Sequence, residues 1–266
     1  MKYSIITVNY NNKEGLKKTI ESVINQSFQD FEYIVIDGGS TDGSADILRE
    51  YDQKITYWVS EPDKGIYNAM NKGIAKATGD YLNFMNSGDC FYDNHVLEKV
   101  DSYHYDADFI VGKDYHFNDE KQKGHASIQP PRTTMIHFFV STLDHQSTFI
   151  KKELFENSPY NENYRLVSDW IFFTEKIVKE QKCVQFIPDI VCKREEGGLS
   201  EQHHEKNRIE INDFLHKFLL DGIYNDYMAL SYLDRTSIYR LFDICENNKK
   251  RKYLIFCIKL ITKFLK

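Results

Sequence analysis

Four short apolar runs, separated by three stretches with helical spacing, fill the first ninety residues and limit the chain to few architectures. Tyr3 to Val8 reads as a strand, and Leu16, Ile20, Val23 and Ile24 share one face of the helix after it. Asn11, followed three residues later by Glu14, has the form of a capping box, and Asn25-Gln26-Ser27 marks the helix end. Tyr33 to Ile36 is continuously apolar, as a strand covered on both faces of a parallel sheet should be. Ile55 to Val59 and Tyr81 to Met85 supply two more strands, and the helices between carry Ile47, Leu48 and Tyr51, then Ile66, Ala69, Met70, Gly73 and Ile74. Repeated βα units of this kind predict an α/β fold: a mainly parallel central sheet flanked by helices, with ligands outside the carboxyl ends of the strands. Those ends carry Asn9, Asp37, Glu61 or Asp63, and Asp89, so the polar clusters fall on one edge.

Past residue 105 the pattern loosens. Asp108 to Gly112, Gln146 to Ile150 and Val184 to Val191 read as strands, residues 118–133 as a polar loop with Pro130-Pro131, and a helix follows Ser168. Residues 203–247 suggest two helices, with Ile209, Phe214, Leu215, Phe218 and Leu219 on the first. The expected organisation is a domain over 1–200, with a nucleotide-binding half (1–100) and an acceptor-facing half (101–200), then a helical extension over 201–266. From Lys249 onward the chain has basic residues and no acid, interleaved with apolar side chains.

Composition sets outer bounds. A net charge of -6 gives no global reason to expect nucleic-acid binding. Five cysteines without a CxxC pair fit a reducing compartment. The amino end enters a strand at once, and no apolar run approaches the ~18 residues of a membrane span, so a cytoplasmic protein is expected.

Several residues suit chemistry as well as structure. Asp37 closes a buried strand before two glycines, where its carboxylate could meet a nucleobase imide or simply belong to a turn, with Ser40 and Asp42 capping the next helix. Asp63, Lys64, Asn68 and Asn71 surround a helix start, a place for anionic or ribosyl groups as well as an ordinary cap. The chain lacks both the phosphate loop of kinases and the dinucleotide fingerprint. Asn86-Ser87-Gly88-Asp89 is either a plain turn or a place where Asp89 holds Mg2+ or Mn2+ against a diphosphate. Asp169 either caps the helix after it, with Ser168, or is a general base whose pKa partial burial tunes upward. His145 and Gln146 precede a strand and could face an acceptor, and at most one of the adjacent His203 and His204 could contact metal or phosphate.

In this order and spacing the motifs resemble the family 2 inverting glycosyltransferases with the GT-A fold, over roughly residues 1–200. The carriers are Ser4 to Asn11, Ile36 to Ser44, Gly65 to Gly73, Ala77 to Tyr81, Asn86 to Asp89, and Ser168-Asp169-Trp170. The resemblance implies that Thr7, Asn9 and Asp37 line the nucleobase pocket and that Asp63, Lys64 and Asn71 lie near the ribose and sugar diphosphate. It further implies Asp89 as metal ligand and Asp169 as the base; beside these, His203 or His204 is the expected further metal contact, and His145, Gln146 and Trp170 are expected to face the acceptor. Two departures stand out: the metal motif keeps one acid, Asp89, where Asn86 and Gly88 replace others, and Gly38 stands where the family's turn has a second Asp.

The implied reaction moves a sugar from a nucleoside diphosphate donor, a UDP-sugar foremost, to a hydroxyl of a glycan or lipid-linked acceptor in surface polysaccharide synthesis. A sugar nucleotidyltransferase and a sugar-nucleotide-binding protein without catalysis are the alternatives; the first would want a Gly-rich basic loop that Asn9 to Gly15 does not supply. The tail, 249–266, suits an amphipathic helix on the anionic inner face of the cytoplasmic membrane, or a helix packed on the body or on a partner in a homo-oligomer.

Overall fold

The structure, a computed structural model, describes residues 2–118, 123–130, 132–195, 203–230, 237, 240, 244 and 247–264. One sheet organises it, in the order β3-β2-β1-β4-β8-β6-β9-β5, with β7 paired to β6. Its first half consists of β1 (Tyr3–Asn9), β2 (Phe31–Asp37), β3 (Tyr57–Ser60) and β4 (Tyr81–Phe84), all parallel. The helices between them are α1 (Lys13–Ile24), α2 (Ser44–Glu50) and α3 (Ile66–Lys76). The four strand ends do share an edge: Asn9, Asp37 and Ser60 stand in register, and the Ser87 amide donates to the Val8 carbonyl, carrying the chain after β4 along β1.

The second half is mixed. It comprises β5 (Cys90–Phe91), β6 (Phe109–Asn118), β7 (Lys123–Ala126), β8 (Thr148–Lys151) and β9 (Val184–Glu195), with helices α4 (Val96–Ser102), α5 (Met135–Val140) and α6 (Ser168–Phe173). Strand β8 is antiparallel to both β4 and β6, whereas β6 and β9 are parallel. Expecting a mainly parallel sheet is therefore correct for the first half and needs correcting for the second. The polar stretch after residue 118 contains β7, which folds back on β6.

Apolar side chains cover both faces. Leu16, Ile20 and Val23 of α1 are fully buried with Tyr33, Val35 and Leu48 on one side; Ile6, Ile34, Met70, Phe84, Phe109 and Phe173 form the other core. Each such aliphatic side chain contributes ~1.5–3 kcal/mol by leaving water. Gly73 lets α3 lie on β1, because a Cβ there would fall 2.5 Å from Ile6 Cγ2.

Local expectations need two corrections. The α1 cap is Asn12, which accepts from the Gly15 amide; Asn11 instead takes a left-handed turn (φ 48°) and accepts from the Thr41 amide. Val167, not Ser168 or Asp169, occupies the cap position of α6, without a side-chain bond. Of the apolar residues assigned to the helix His204–Phe218 (α7), Phe214 and Leu215 are buried, while Ile209 faces solvent. Among the described residues two helices follow it, α8 (Asp221–Leu230) and α9 (Asn248–Phe264), and Tyr224 of α8 also reaches the core of Ile6, Ile34 and Phe173, tying the start of the extension to the body. Among the described residues no helix is long and apolar enough to cross a membrane.

Candidate active site

At the carboxyl edge of the first half Asp37 is satisfied from within, while the buried Asn9 Oδ1 beside it has no partner among the described residues. Asp37 is fully buried, and its carboxylate accepts four bonds: from Asn9 Nδ2 (2.7 Å) and Ser40 Oγ (2.5 Å) at Oδ1, and from the Ser40 amide (3.0 Å) and Ser60 Oγ (2.6 Å) at Oδ2. Burial pushes this carboxyl up, but the bonds from Ser40, Ser60 and Asn9 outweigh it and hold the group below the ordinary carboxylate range. Ser40, expected as a helix cap, is thus an anchor for Asp37, whereas Asp42 accepts from the Ser44 amide at the start of α2 as expected. Thr7 lies deeper still: it is fully buried, with its hydroxyl 2.7 Å from the Met85 carbonyl and 3.0 Å from Tyr33 Oη. Thr7 therefore braces β1 against β4 and does not line an open pocket.

On α3, Asn71 is committed to the chain across the groove: Nδ2 donates to the Tyr160 carbonyl and to Glu162, and Oδ1 accepts from the Tyr160 amide. Its amide clamps that loop. Lys64 is exposed, and Asp63 accepts from the Gly65 amide at 2.8 Å.

The turn after β4 meets the second half. Gly88 has φ 105°, its amide donates to Thr19 Oγ1, and Asn12 Nδ2 donates to the Ser87 carbonyl, so α1 fixes the turn from below. Asp89 accepts from Gln146 Nε2 at 3.1 Å, and burial is the main cause that raises its carboxyl above the usual range. Asn86 Nδ2 is 3.0 Å from His145 Nε2, and His145 Nδ1 is 2.8 Å from Asp169 Oδ2. Asp169 also accepts from Tyr67 Oη (2.7 Å) and from the Trp170 amide (2.9 Å), both at Oδ1. His145, Gln146, Asp89 and Asp169 are thereby brought together. Trp170 is not among those facing outward: it is buried, and its indole N–H donates to the Phe138 carbonyl.

One electrostatic expectation is reversed. Burial does push Asp169 upward, but His145, Tyr67 and the Trp170 amide prevail and hold the carboxyl below its ordinary value. The imidazole opposite is lowered by burial and raised more strongly by Asp169, with a net rise. Turning the Asn86 amide over would let an imidazolium donate to Asn86 and Asp169 together, and would give the buried Asn86 Oδ1, which has no partner in the present orientation, a donor.

Sequence reasoning passed over four residues here. Tyr67 reads as one more amphipathic position of α3, yet it bonds the Asp169 carboxylate. Asp114, Asp144 and Arg194 form the other group: Arg194 Nε lies 3.3 Å from Asp114 Oδ2 and Nη2 lies 3.4 Å from Asp144 Oδ1. Asp114 is fully buried, and burial with the negative charge of Asp144, against Arg194, pushes its carboxyl up to about 8. A charged residue inside the apolar run from Phe109 was the available signal. Asp114, His116 and Asp144 place ligand atoms within 4.8 Å of one another. That trio contains neither His203, the cap residue of α7, nor His204, its first residue. Burial raises the acids Asp89 and Asp114, and the two carboxylates and one imidazole of Asp114, Asp144 and His116 are a donor set that fits a divalent cation.

Comparisons with known proteins agree with this arrangement. The family model described as glycosyl transferase family 2 matches residues 4–174. An uncharacterized glycosyltransferase of Mycobacterium tuberculosis is 47% identical over 98 residues, a match that spans 36% of this chain and 37% of that protein. A PGL/p-HBAD biosynthesis glycosyltransferase of Mycobacterium bovis is 29% identical over 206 residues, covering 74% and 78%. Among solved structures, S. aureus TarS 1-349 in complex with UDP superposes with a TM-score of 0.60 at 18% identity, over 91% of this chain and 75% of that one. The mannosyltransferase PcManGT from Pyrobaculum calidifontis, in complex with GDP-Man and Mn2+, gives 0.57 at 17% identity, over 80% and 61%. With more than half of its length matched by that model and its fold shared with these enzymes, the chain belongs to glycosyl transferase family 2.

Proposed function

We propose that the chain transfers a sugar from a nucleoside diphosphate donor to an acceptor hydroxyl, with inversion at the anomeric carbon. The observation that carries this reading is the Asp169 carboxylate, fixed by three donors at the strand edge and bridged through His145 to the turn that holds Asp89. Oδ1 accepts two bonds and Oδ2 one, which leaves an acceptor position on Oδ2 for a substrate hydroxyl. As the hydroxyl oxygen bonds to the anomeric carbon, its proton passes to Asp169, and the bond to the diphosphate breaks with its electron pair leaving on the diphosphate. A carboxyl held below its ordinary value is ionised at neutral pH and ready for that proton. A single displacement from the opposite face needs no covalent nucleophile.

Asp89 is the residue of the turn that would hold a divalent cation, with the Asp114, His116 and Asp144 donors as the neighbouring cluster. When bound, Mg2+ or Mn2+ would supply charge neutralisation for the departing diphosphate. The lowered first-half network keeps the strand ends rigid below the donor, and Arg194, held by two acids, adds a fixed positive charge beside Asp89. PcManGT, with GDP-Man and Mn2+, and TarS, with UDP, share the fold and support this reading.

The acceptor we propose is a glycan or a lipid-linked glycan at the inner face of the cytoplasmic membrane. In α9, Tyr253 and Phe256 are 71% and 61% exposed beside Lys249 and Lys252, a combination suited to anionic lipid. Pelleting with phosphatidylglycerol vesicles should drop when Tyr253 and Phe256 are both replaced by Ser; unchanged pelleting removes the membrane role. For the activity itself, UDP-, GDP- and dTDP-sugars are incubated with the protein, a glycan acceptor mixture and Mn2+ or Mg2+. Release of nucleoside diphosphate coupled to acceptor glycosylation is expected, and binding without turnover would make the chain a non-catalytic sugar-nucleotide binder.

A further inference from the structure

The turn after β2 and the loop before α3 are pressed together through two glycines. A Cβ at Gly39 would lie 3.0 Å from the Pro62 nitrogen, and one at Gly38 would lie 2.5 Å from Asp63 Oδ2 and 3.2 Å from Tyr10 Cδ2. The side chain missing at Gly38 is therefore replaced in space by a carboxylate reaching in from Pro62-Asp63-Lys64, next to the ring of Tyr10, which is 67% exposed.

The two carboxylates at this edge differ in what they can still do. Asp37 accepts four bonds from the protein, the full capacity of a carboxylate, and is buried. Asp63 spends Oδ1 on the Gly65 amide, while Oδ2, the oxygen over Gly38, accepts no bond from any described residue. An open aromatic face offers stacking to any base and discriminates little. A fixed acceptor at its edge discriminates strongly, because it rewards an N–H and repels a lone pair.

We propose that Asp63, through Oδ2, reads the N–H edge of the donor nucleobase, so that the site takes a uracil, thymine or guanine nucleotide and rejects cytosine. This rests on the sugar-nucleotide reading above and moves the base-reading role from Asp37 to a residue on a different loop. Asp37 becomes a support for the strand ends.

Asp63→Asn is the incisive variant. Its amide oxygen stays with the Gly65 N–H, which turns the NH2 toward the base and exchanges an acceptor for a donor. Calorimetric titration of UDP and CDP cancels the ribose and diphosphate, which the two ligands share. Wild type is expected to favour UDP over CDP at least tenfold, and Asp63→Asn to lose that preference or invert it. Gly38→Ala, which leaves Asp63 in place but pushes its carboxylate aside, should also lower the ratio. A thermal melt matching wild type shows that each variant is folded. An unchanged UDP to CDP ratio in Asp63→Asn, or a wild-type preference for CDP, overturns the assignment alone; failure of wild type to bind any nucleoside diphosphate overturns the sugar-transfer reading and this one with it.

Discussion

Asp37, at the end of β2, and Asp114, within β6, are both fully buried acids of the same sheet, yet their surroundings pull them in opposite directions. Four donors hold Asp37 below the ordinary range, whereas Asp114 has the Arg194 guanidinium at 3.3 Å as its partner and Asp144 and Asp89 as like-charged neighbours, and rises to about 8. Asp37 is thus complete in itself, a buried support of the sheet's frame whose four acceptor positions are filled by neighbouring strand ends and by Ser40. In the mixed half, on the function proposed above, the raised acids would be completed from outside, by cation, diphosphate or acceptor proton. Replacing a fully buried acid should then disturb stability in the first half and chemistry in the second, whereas Asp63, at the surface of the first half, bears on binding alone.

Asp169→Asn should have the largest effect. The carboxamide keeps the size of the side chain and loses the proton acceptor, so kcat should fall ~100- to 10,000-fold while nucleotide binding stays near wild type. Near-wild-type turnover would take the base role away from Asp169. His145→Gln should come next. It removes the bridge between Asn86 and Asp169 without removing the base, and a drop in kcat of ~10-fold with little change in donor KM is expected. A rise in donor KM with kcat intact would place His145 on the donor instead.

Asp37→Ala tests the frame. It strips four donors of their acceptor, the one from Asn9 fully buried and those from Ser40 and Ser60 partly so, and with an unpaired buried group costing ~1–3 kcal/mol a loss of about that size is expected in a urea melt. A melt like that of wild type would mean that water replaces the carboxylate without loss, and the contrast between the halves would weaken.

The sequence made the first half legible because each signal there is local: apolar runs, helical spacing, glycines at turns. It placed Asn9, Asp37 and Asp89 on one edge correctly, since strand ends follow from the strands. What it missed depends on register between distant segments. Tyr67 and Asp169 are 102 positions apart and meet only because α3 and α6 pack on the same core. Asp114 meets Arg194 because β6 pairs with β9, Asp114 opposite Cys192, an arrangement that no local pattern announces. The direction of the Asp169 shift failed for the same reason: burial was foreseeable from the apolar helix, the donors that outweigh it were not.

The pH dependence of stability most directly separates frame from site. The Asp114 carboxyl sits near 8 in the folded chain, against ~3.9 in an unfolded one, so the folded state holds a proton that the unfolded state has released over that interval. Stability from this group is full below pH ~4 and is lost as pH rises toward 8. Wild-type melting temperature should accordingly carry a downward component across that window, and Asp114→Asn, which cannot titrate, should flatten it. Mn2+ bound at this edge would favour the ionised carboxylate and flatten the wild-type slope in the same way, with no further change in the variant. If Asp114→Asn and wild type keep parallel profiles, with and without Mn2+, Asp114 is neutralised by Arg194 alone, and the second half is as self-sufficient as the first.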